Sequence, residues 1–288
     1  MNVDAPQDDD ALACAGGAAG AARVDVRVRR AGTVADTQDW LADEVPVALI
    51  FNGISHAVML ATPLDLEDFA LGFGLTEGLL ASPGELYGVD VVDDPAGVRV
   101  EMEVSGACFA RLKDRRRSMA GRTGCGLCGT ESLEQVEPPL QPLETCDTPL
   151  SPPAIAQALR AMPGRQALQQ VTGATHAAAW CSPAGDVVLV REDVGRHNAL
   201  DKLVGAMVES GIDPRDGFCC ITSRASVEMV RKAVAAGITA LVAVSAPTAR
   251  AVDTARRAGL ALAGFARRDD LVLYARPDRF DAQPAHRP

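Results

Sequence analysis

The chain has 288 residues, 48 % of them hydrophobic and 23 % charged, a balance that builds a globular core and excludes wholesale disorder. Its formal net charge of −10 excludes a general basic footprint for nucleic acid, and part of that acidity, Asp4, Asp8, Asp9 and Asp10, crowds an N-terminal tail without lysine or arginine. No run is long and apolar enough to span a membrane, and eight cysteines in this length are too sparse for a disulfide scaffold.

Residues 1–22 read as a disordered acidic, Ala/Gly-rich tail. Asp8–Asp10 stand where a secretory signal needs positive charge, so the expected location is the cytoplasm, with the thiols reduced. Residues 23–118 read as a small α+β domain. Valines alternate with charged residues over 24–29, the pattern of a half-buried strand, and 45–51 and 56–61 pair as a hairpin across Asn52-Gly53. Thr62-Pro63 then opens a helix expected through Leu80, with Asp65, Glu67 and Asp68 in its first turns. Alternation returns over 98–104. No chemical motif stands out in this unit.

Residues 119–150 read as a cysteine loop and a connector, the run 137–153 holding prolines at 138, 139, 142, 149, 152 and 153. From Ser151-Pro152, a helix start, strands and helices alternate. Strands are expected at 176–181, 187–191, 218–222, 238–245 and 260–265, and helices at 195–210, 227–236 and 247–258. This rhythm predicts a three-layer α/β domain over 151–280, followed by a tail at 281–288.

The stretch 121–129, GRTGCGLCG, sets Cys125 and Cys128 among four glycines, which suits an exposed loop and neither a helix nor a strand. Arg111, Lys113, Arg115, Arg116 and Arg117 lie just upstream, and neighbouring cations favour thiolate over thiol. On residues alone three readings stand: half of a zinc site, a redox dithiol, or a nucleophilic thiol that accepts and passes on a group. In the second domain, strand-to-helix junctions carry small polar residues and arginine: Ser223, Arg224 and Ser226; Ser245 and Thr248; and Arg196 with His197. Each offers free N–H groups and a positive helix end to an anion, although Ser and Thr also cap helices with no ligand at all. His176 and His197 are candidate proton shuttles near neutral pH, and Glu192 or Asp193 could orient His197 or bind a metal.

Together, segments 121–129, 191–202 (REDVGRHNALDK), 222–230 (TSRASVEMV), 245–252 (SAPTARAV) and 259–267 (GLALAGFAR) resemble the formate dehydrogenase accessory proteins, the FdhD-type sulfurtransferases, from about residue 23 to 280. The resemblance implies a cytoplasmic sulfur carrier that receives persulfide sulfur from a cysteine desulfurase on Cys125, with Cys128 as helper. The sulfur then passes to the molybdenum of the bis(molybdopterin guanine dinucleotide) cofactor, a bound substrate, before insertion into formate dehydrogenase. It places the cofactor-contacting segment on Phe265, Ala266, Arg267, Arg268, Asp269 and Asp270, and implies a homodimer, with neither membrane nor nucleic acid as partner. It also implies a second domain similar to cytidine deaminases. Zinc deaminases need H/C-x-E and PCxxC, whereas no His or Cys here is followed by Glu two residues on, and Gly124 replaces the proline. No stoichiometric structural zinc is expected. The alternative is a non-catalytic chaperone that binds the molybdenum cofactor and hands it over.

Overall fold

The computed structural model describes residues 19–119 and 140–280. Strands β1 (Ala21–Arg30) and β2 (Thr33–Ala42) form a hairpin of their own, with Arg27 Nε 2.6 Å from Asp36 on its exposed surface. Strands β3 (Val45–Phe51), β4 (Ile54–Ala61), β5 (Leu86–Asp94) and β6 (Gly97–Val104) make a four-stranded sheet in the order β4-β3-β6-β5. The β3–β4 turn holds Asn52 and Gly53 at φ of 44° and 77°, the positive values its sequence promised.

Helix α1 (Leu66–Thr76) is shorter than expected, because Asp65 sits at φ 52° and Thr62 is diverted elsewhere. The Thr62 backbone N–H donates to Asp193 Oδ2 at 3.0 Å, so those residues do not coil. Phe69 and Phe73 of α1 pack on Val47, Leu49, Phe51, Val100 and Met102. Helix α2 (Gly106–Met119) follows β6 and adds Cys108 and Leu112 to the same core.

Helix α3 (Pro152–Ala161) starts as expected, with Ser151 Oγ accepting from Ala154 N–H at 3.2 Å. The short α4 (Ala167–Thr172) leads into β7 (His176–Cys181) and β8 (Val187–Asp193). Then come α5 (Arg196–Glu209), β9 (Phe218–Ile221), α6 (Val227–Ala235), β10 (Ala240–Ala243), α7 (Ala249–Ala258), β11 (Ala261–Arg267) and β12 (Asp270–Ala275). The sheet order is β12-β11-β10-β9-β7-β8. Strands β9, β10 and β11 run parallel, and β12 and β7 flank them antiparallel.

Both faces of this sheet are covered, which is why its central strands read as unbroken apolar runs. Leu241 and Ala243 of β10 face the cluster formed with α5, α6 and α7, while Ala240 and Val242 face the cluster that contains Ile155 of α3 and Phe280. The result is a helix–sheet–helix stack.

The four-stranded unit is joined to this stack through α1 and α5. The two helices cross so closely that a Cβ on Gly72 would lie 1.7 Å from the Asp201 carbonyl oxygen, and one on Gly205 2.0 Å from that of Asp68. Only glycine fits at either position.

Candidate functional site

In a mixed sheet with parallel centre strands, loops at the carboxyl ends of those strands form the natural binding crevice. Here they are stitched side by side. Val244 N–H donates to Ile221 O at 2.9 Å, Thr248 N–H to Ala225 O at 3.1 Å, and Phe265 N–H to Ser245 O at 3.1 Å. The antiparallel β7 brings its first residue to the same edge: His176 pairs with Asp193, and Ala177 N–H donates to Thr222 Oγ1 at 2.9 Å. The fold therefore draws Arg196, His197, Ser223, Arg224, Ser226, Ser245, Thr248 and Phe265 to one rim.

The rim's polar groups differ in how fully they are used. Thr248 caps α7, its hydroxyl accepting from Ala251 N–H at 3.3 Å, so that position has the plain structural role. Ser226 does not cap α6 and Gly195 has no side chain to cap α5, so neither helix has a side-chain N-cap; at α6 the Glu228 carboxylate meets the first turn instead. Ser223 is buried, and its hydroxyl donates to the Arg224 carbonyl at 3.1 Å. Arg196, Arg224, Arg267 and Arg268 form no ion pair among the described residues. An unpaired guanidinium beside a free helix end is a place for an anion.

The turn after β11 sharpens this. Phe265 holds φ at 50° and Arg268 at 56°, values that strain a side-chain-bearing residue by roughly 1–2 kcal/mol. Phe265 is 46 % exposed, a large aromatic surface left open. Gly264 beside it has no room for a side chain, since a Cβ would lie 2.8 Å from Pro247 Cδ. Ala266 is buried in the core and can offer a ligand only its backbone. Asp269 pairs with Arg160 of α3 at 2.8 Å, and Asp270 opens β12 opposite Arg267. The acid next in sequence is thus engaged elsewhere, and Arg267 and Arg268 form no ion pair among the described residues.

His197 is not set for proton shuttling at neutral pH. Burial, helped by Arg196 and Lys232, pushes His197 down to about 4, and its Nε2 is buried without a hydrogen-bond partner. Burial and Arg196 also push His176 down. The His197 ring is therefore neutral at pH 7. Cys125 and Cys128 lie outside the described residues.

Behind the rim lies a seam of buried charge that the motif reading missed. Asp193 is fully buried and accepts four donors: Thr62 N–H at 3.0 Å, Gly195 N–H at 2.7 Å, Asn198 Nδ2 at 3.0 Å and Lys202 Nζ at 2.7 Å. Burial pushes Lys202 down against the pull of Asp193. One turn along, Asp201 accepts from Thr76 Oγ1 at 2.6 Å and from Lys232 Nζ at 2.9 Å, and Lys232 also reaches Glu77 at 2.7 Å. Burial pushes Asp201 up to about 6 although Lys232 opposes it. Arg191 pairs with Asp68 at 2.7 Å. Glu192 does not orient His197; its carboxylate caps α4, accepting from Leu168 and Gln169 N–H at 3.0 and 2.8 Å. A signal was present: of the three lysines in this arginine-rich chain, Lys202 and Lys232 are both buried in the seam. Among the described residues no group of three or more His, Cys, Asp or Glu could hold a metal ion.

Comparison with known proteins bears on the same segments. A family model described as the FdhD/NarQ family matches residues 42–281. A relative from Variovorax paradoxus, named a sulfur carrier protein FdhD, is 59 % identical over 91 % of this chain and 94 % of its own. Relatives of the same name from Bordetella petrii and Cupriavidus necator are 54 % and 55 % identical, over 90 % and 87 % of this chain and 93 % and 86 % of theirs. A crystal structure of a candidate formate dehydrogenase accessory protein from Desulfotalea psychrophila superposes with a TM-score of 0.70 at 22 % identity, covering 90 % of this chain and 99 % of that one, and so shares the fold. With a family model spanning most of its length and relatives this similar, the chain belongs to the FdhD/NarQ family.

Proposed function

We propose that the protein is a sulfurtransferase serving formate dehydrogenase. It takes persulfide sulfur from a cysteine desulfurase onto Cys125 and passes it to the molybdenum of a bis(molybdopterin guanine dinucleotide), before that cofactor enters the enzyme. What carries the reading is the rim itself: four arginines without an ion pair among the described residues, two helix N-termini without a side-chain cap and an exposed, strained Phe265, gathered in a chain of net negative charge. A pyrophosphate needs such charge-assisted donors, and a flat guanine or pterin ring suits the face of Phe265. The relatives' name, sulfur carrier, points the same way.

In the loading step the Cys125 thiolate attacks the outer sulfur of the desulfurase persulfide. A new S–S bond forms at Cys125, and the desulfurase thiolate leaves. The arginines flanking the loop in sequence favour the thiolate. Cys128 assists release. The neutral His197 holds its place at the rim without adding a second positive charge. The same reading has the protein acting in the cytoplasm as a homodimer, with a deaminase-like α/β stack that carries no zinc chemistry.

The test is direct. After incubation with a cysteine desulfurase and cysteine, the peptide containing Cys125 gains the mass of one sulfur atom, and Cys125→Ala abolishes formate dehydrogenase activity in cells. Equal rescue by wild type and by the Cys125→Ala/Cys128→Ala double variant would replace this reading with that of a non-catalytic cofactor chaperone.

A further inference from the structure

At the opposite end of the six-stranded sheet, where α5 ends and β10 begins, the surface folds into a hollow of about 490 Å3. Leu143, Ile212 and Pro214 give it apolar walls, and Thr239 lines it together with Arg215, whose guanidinium pairs with the lining carboxylates of Asp213 and Glu144 at 2.7 and 3.3 Å. Cys146 stands beside it, its Sγ 3.7 Å from the Arg215 carbonyl oxygen. Among the described cysteines this one is part-exposed, while Cys108, Cys181, Cys219 and Cys220 are buried.

The surroundings of that sulfur are built. Arg279, only 2 % exposed, donates from Nη1 to the Thr239 carbonyl at 3.2 Å, and from Nε and Nη2 to the Thr148 carbonyl at 3.1 and 2.9 Å. Its guanidinium thereby clamps together the two segments that flank Cys146. Thr239 is 2 % exposed, and its Oγ1 is buried without a hydrogen-bond partner. A buried hydroxyl left idle is costly unless some state of the molecule uses it. An ionised Cys146 sulfur supplies the missing acceptor.

Burial works against charge on Cys146, but the Thr148 N–H, the hydroxyls of Thr239 and Thr148 and the Arg279 charge outweigh it and hold the thiol below its ordinary range. Elsewhere the balance runs the other way. Burial pushes Cys108 and Cys219 up, and a hydrogen bond with Cys181 together with burial does the same to Cys220.

We propose that Cys146 is a covalent modification site, whose thiolate exchanges with low-molecular-weight disulfides of the glutathione type while the adjoining hollow receives the attached thiol. The thiolate attacks one sulfur of the disulfide, and the new Cys146–sulfur bond forms as the small molecule's S–S bond breaks. The expelled thiolate takes a proton from water. Cys146 is oxidised to the mixed disulfide, and the departing half of the reagent is reduced to its thiol. The site is separate from the cysteine loop and does not depend on what Cys125 does.

Treatment of the full-length protein with glutathione disulfide at about pH 7, followed by peptide mass analysis, reads the site. The Cys146 peptide gains one glutathionyl group roughly fivefold faster than in the same chain unfolded in guanidinium, with a rate midpoint below the free-thiol value of about 8.5. Thr239→Val, checked for folding by thermal denaturation, slows that labelling about tenfold, and Thr239→Ser restores it. Labelling no faster than in the unfolded chain, or a folded Thr239→Val variant that reacts like wild type, would overturn the proposal. Should the valine variant not fold, the wild-type pH midpoint decides alone.

Discussion

The seam and the rim use the same kinds of residue, drawn largely from the same motifs, in opposite ways. At the seam every charge is matched: Asp193 with Lys202, Asp201 with Lys232, Asp68 with Arg191. At the rim, a turn or less away along α5, Arg196 and His197 leave buried nitrogens without partners. Matched buried charges fix geometry, and unmatched ones wait for something to arrive. A twelve-residue motif, 191–202, thus divides its labour: Asp193, Asn198, Asp201 and Lys202 weld two units together, while Arg196 and His197, half-buried at the rim, keep nitrogens without partners.

Four variants test that division. The largest effect is expected from Lys202→Met, which strands the fully buried Asp193 carboxylate and lowers stability by about 3–5 kcal/mol in a denaturant titration. Gly205→Ala follows, because its methyl would meet the Asp68 carbonyl 2.0 Å away; roughly 3 kcal/mol should be lost by the same measurement. At the rim the pattern inverts. Arg224→Ala and Arg268→Ala should each leave stability within about 0.5 kcal/mol of wild type. Each should nonetheless weaken binding of guanosine diphosphate roughly tenfold by calorimetry, as the loss of one charge-assisted bond demands. If they destabilise instead, the rim is structural after all.

The last effect depends on pH and concerns His197. Its folded value is depressed from 6.5 to about 4, so the unfolded chain takes up a proton in acid where the fold does not. The stability tied to its neutrality is fully present above pH 6.5 and is lost as pH falls toward about 4. Between those limits the melting temperature of His197→Gln should fall less steeply than that of wild type.

Much of this was legible in the chain. Strands β7 and β9 and helix α6 follow from apolar runs and periodicity, and the three anion-ready junctions do meet at one rim. Strand β2 was invisible because its side chains are mostly exposed and show no alternation; it forms by pairing with β1 along its whole length. Helix α1 was drawn too long because nothing local announces that Thr62 will bond Asp193. The seam was missed for the same reason: a carboxylate in an anion-friendly motif looks like a partner for His197 until a distant backbone closes on it. That Arg267 and Arg268 make no ion pair among the described residues was equally hidden, since Asp269 is drawn to Arg160, far back in the chain.

The bond from Thr62 to Asp193 spans 131 residues, and that span has a consequence for how the protein is made. The four-stranded unit leaves the ribosome with α1 bare, its phenylalanines covered on one side and its Gly72 stripe facing nothing. At common rates of synthesis, α5 arrives on the order of ten seconds later. Throughout that interval the nascent chain shows an unfinished surface, and chaperones have a window in which to hold it until the glycine crossing can close.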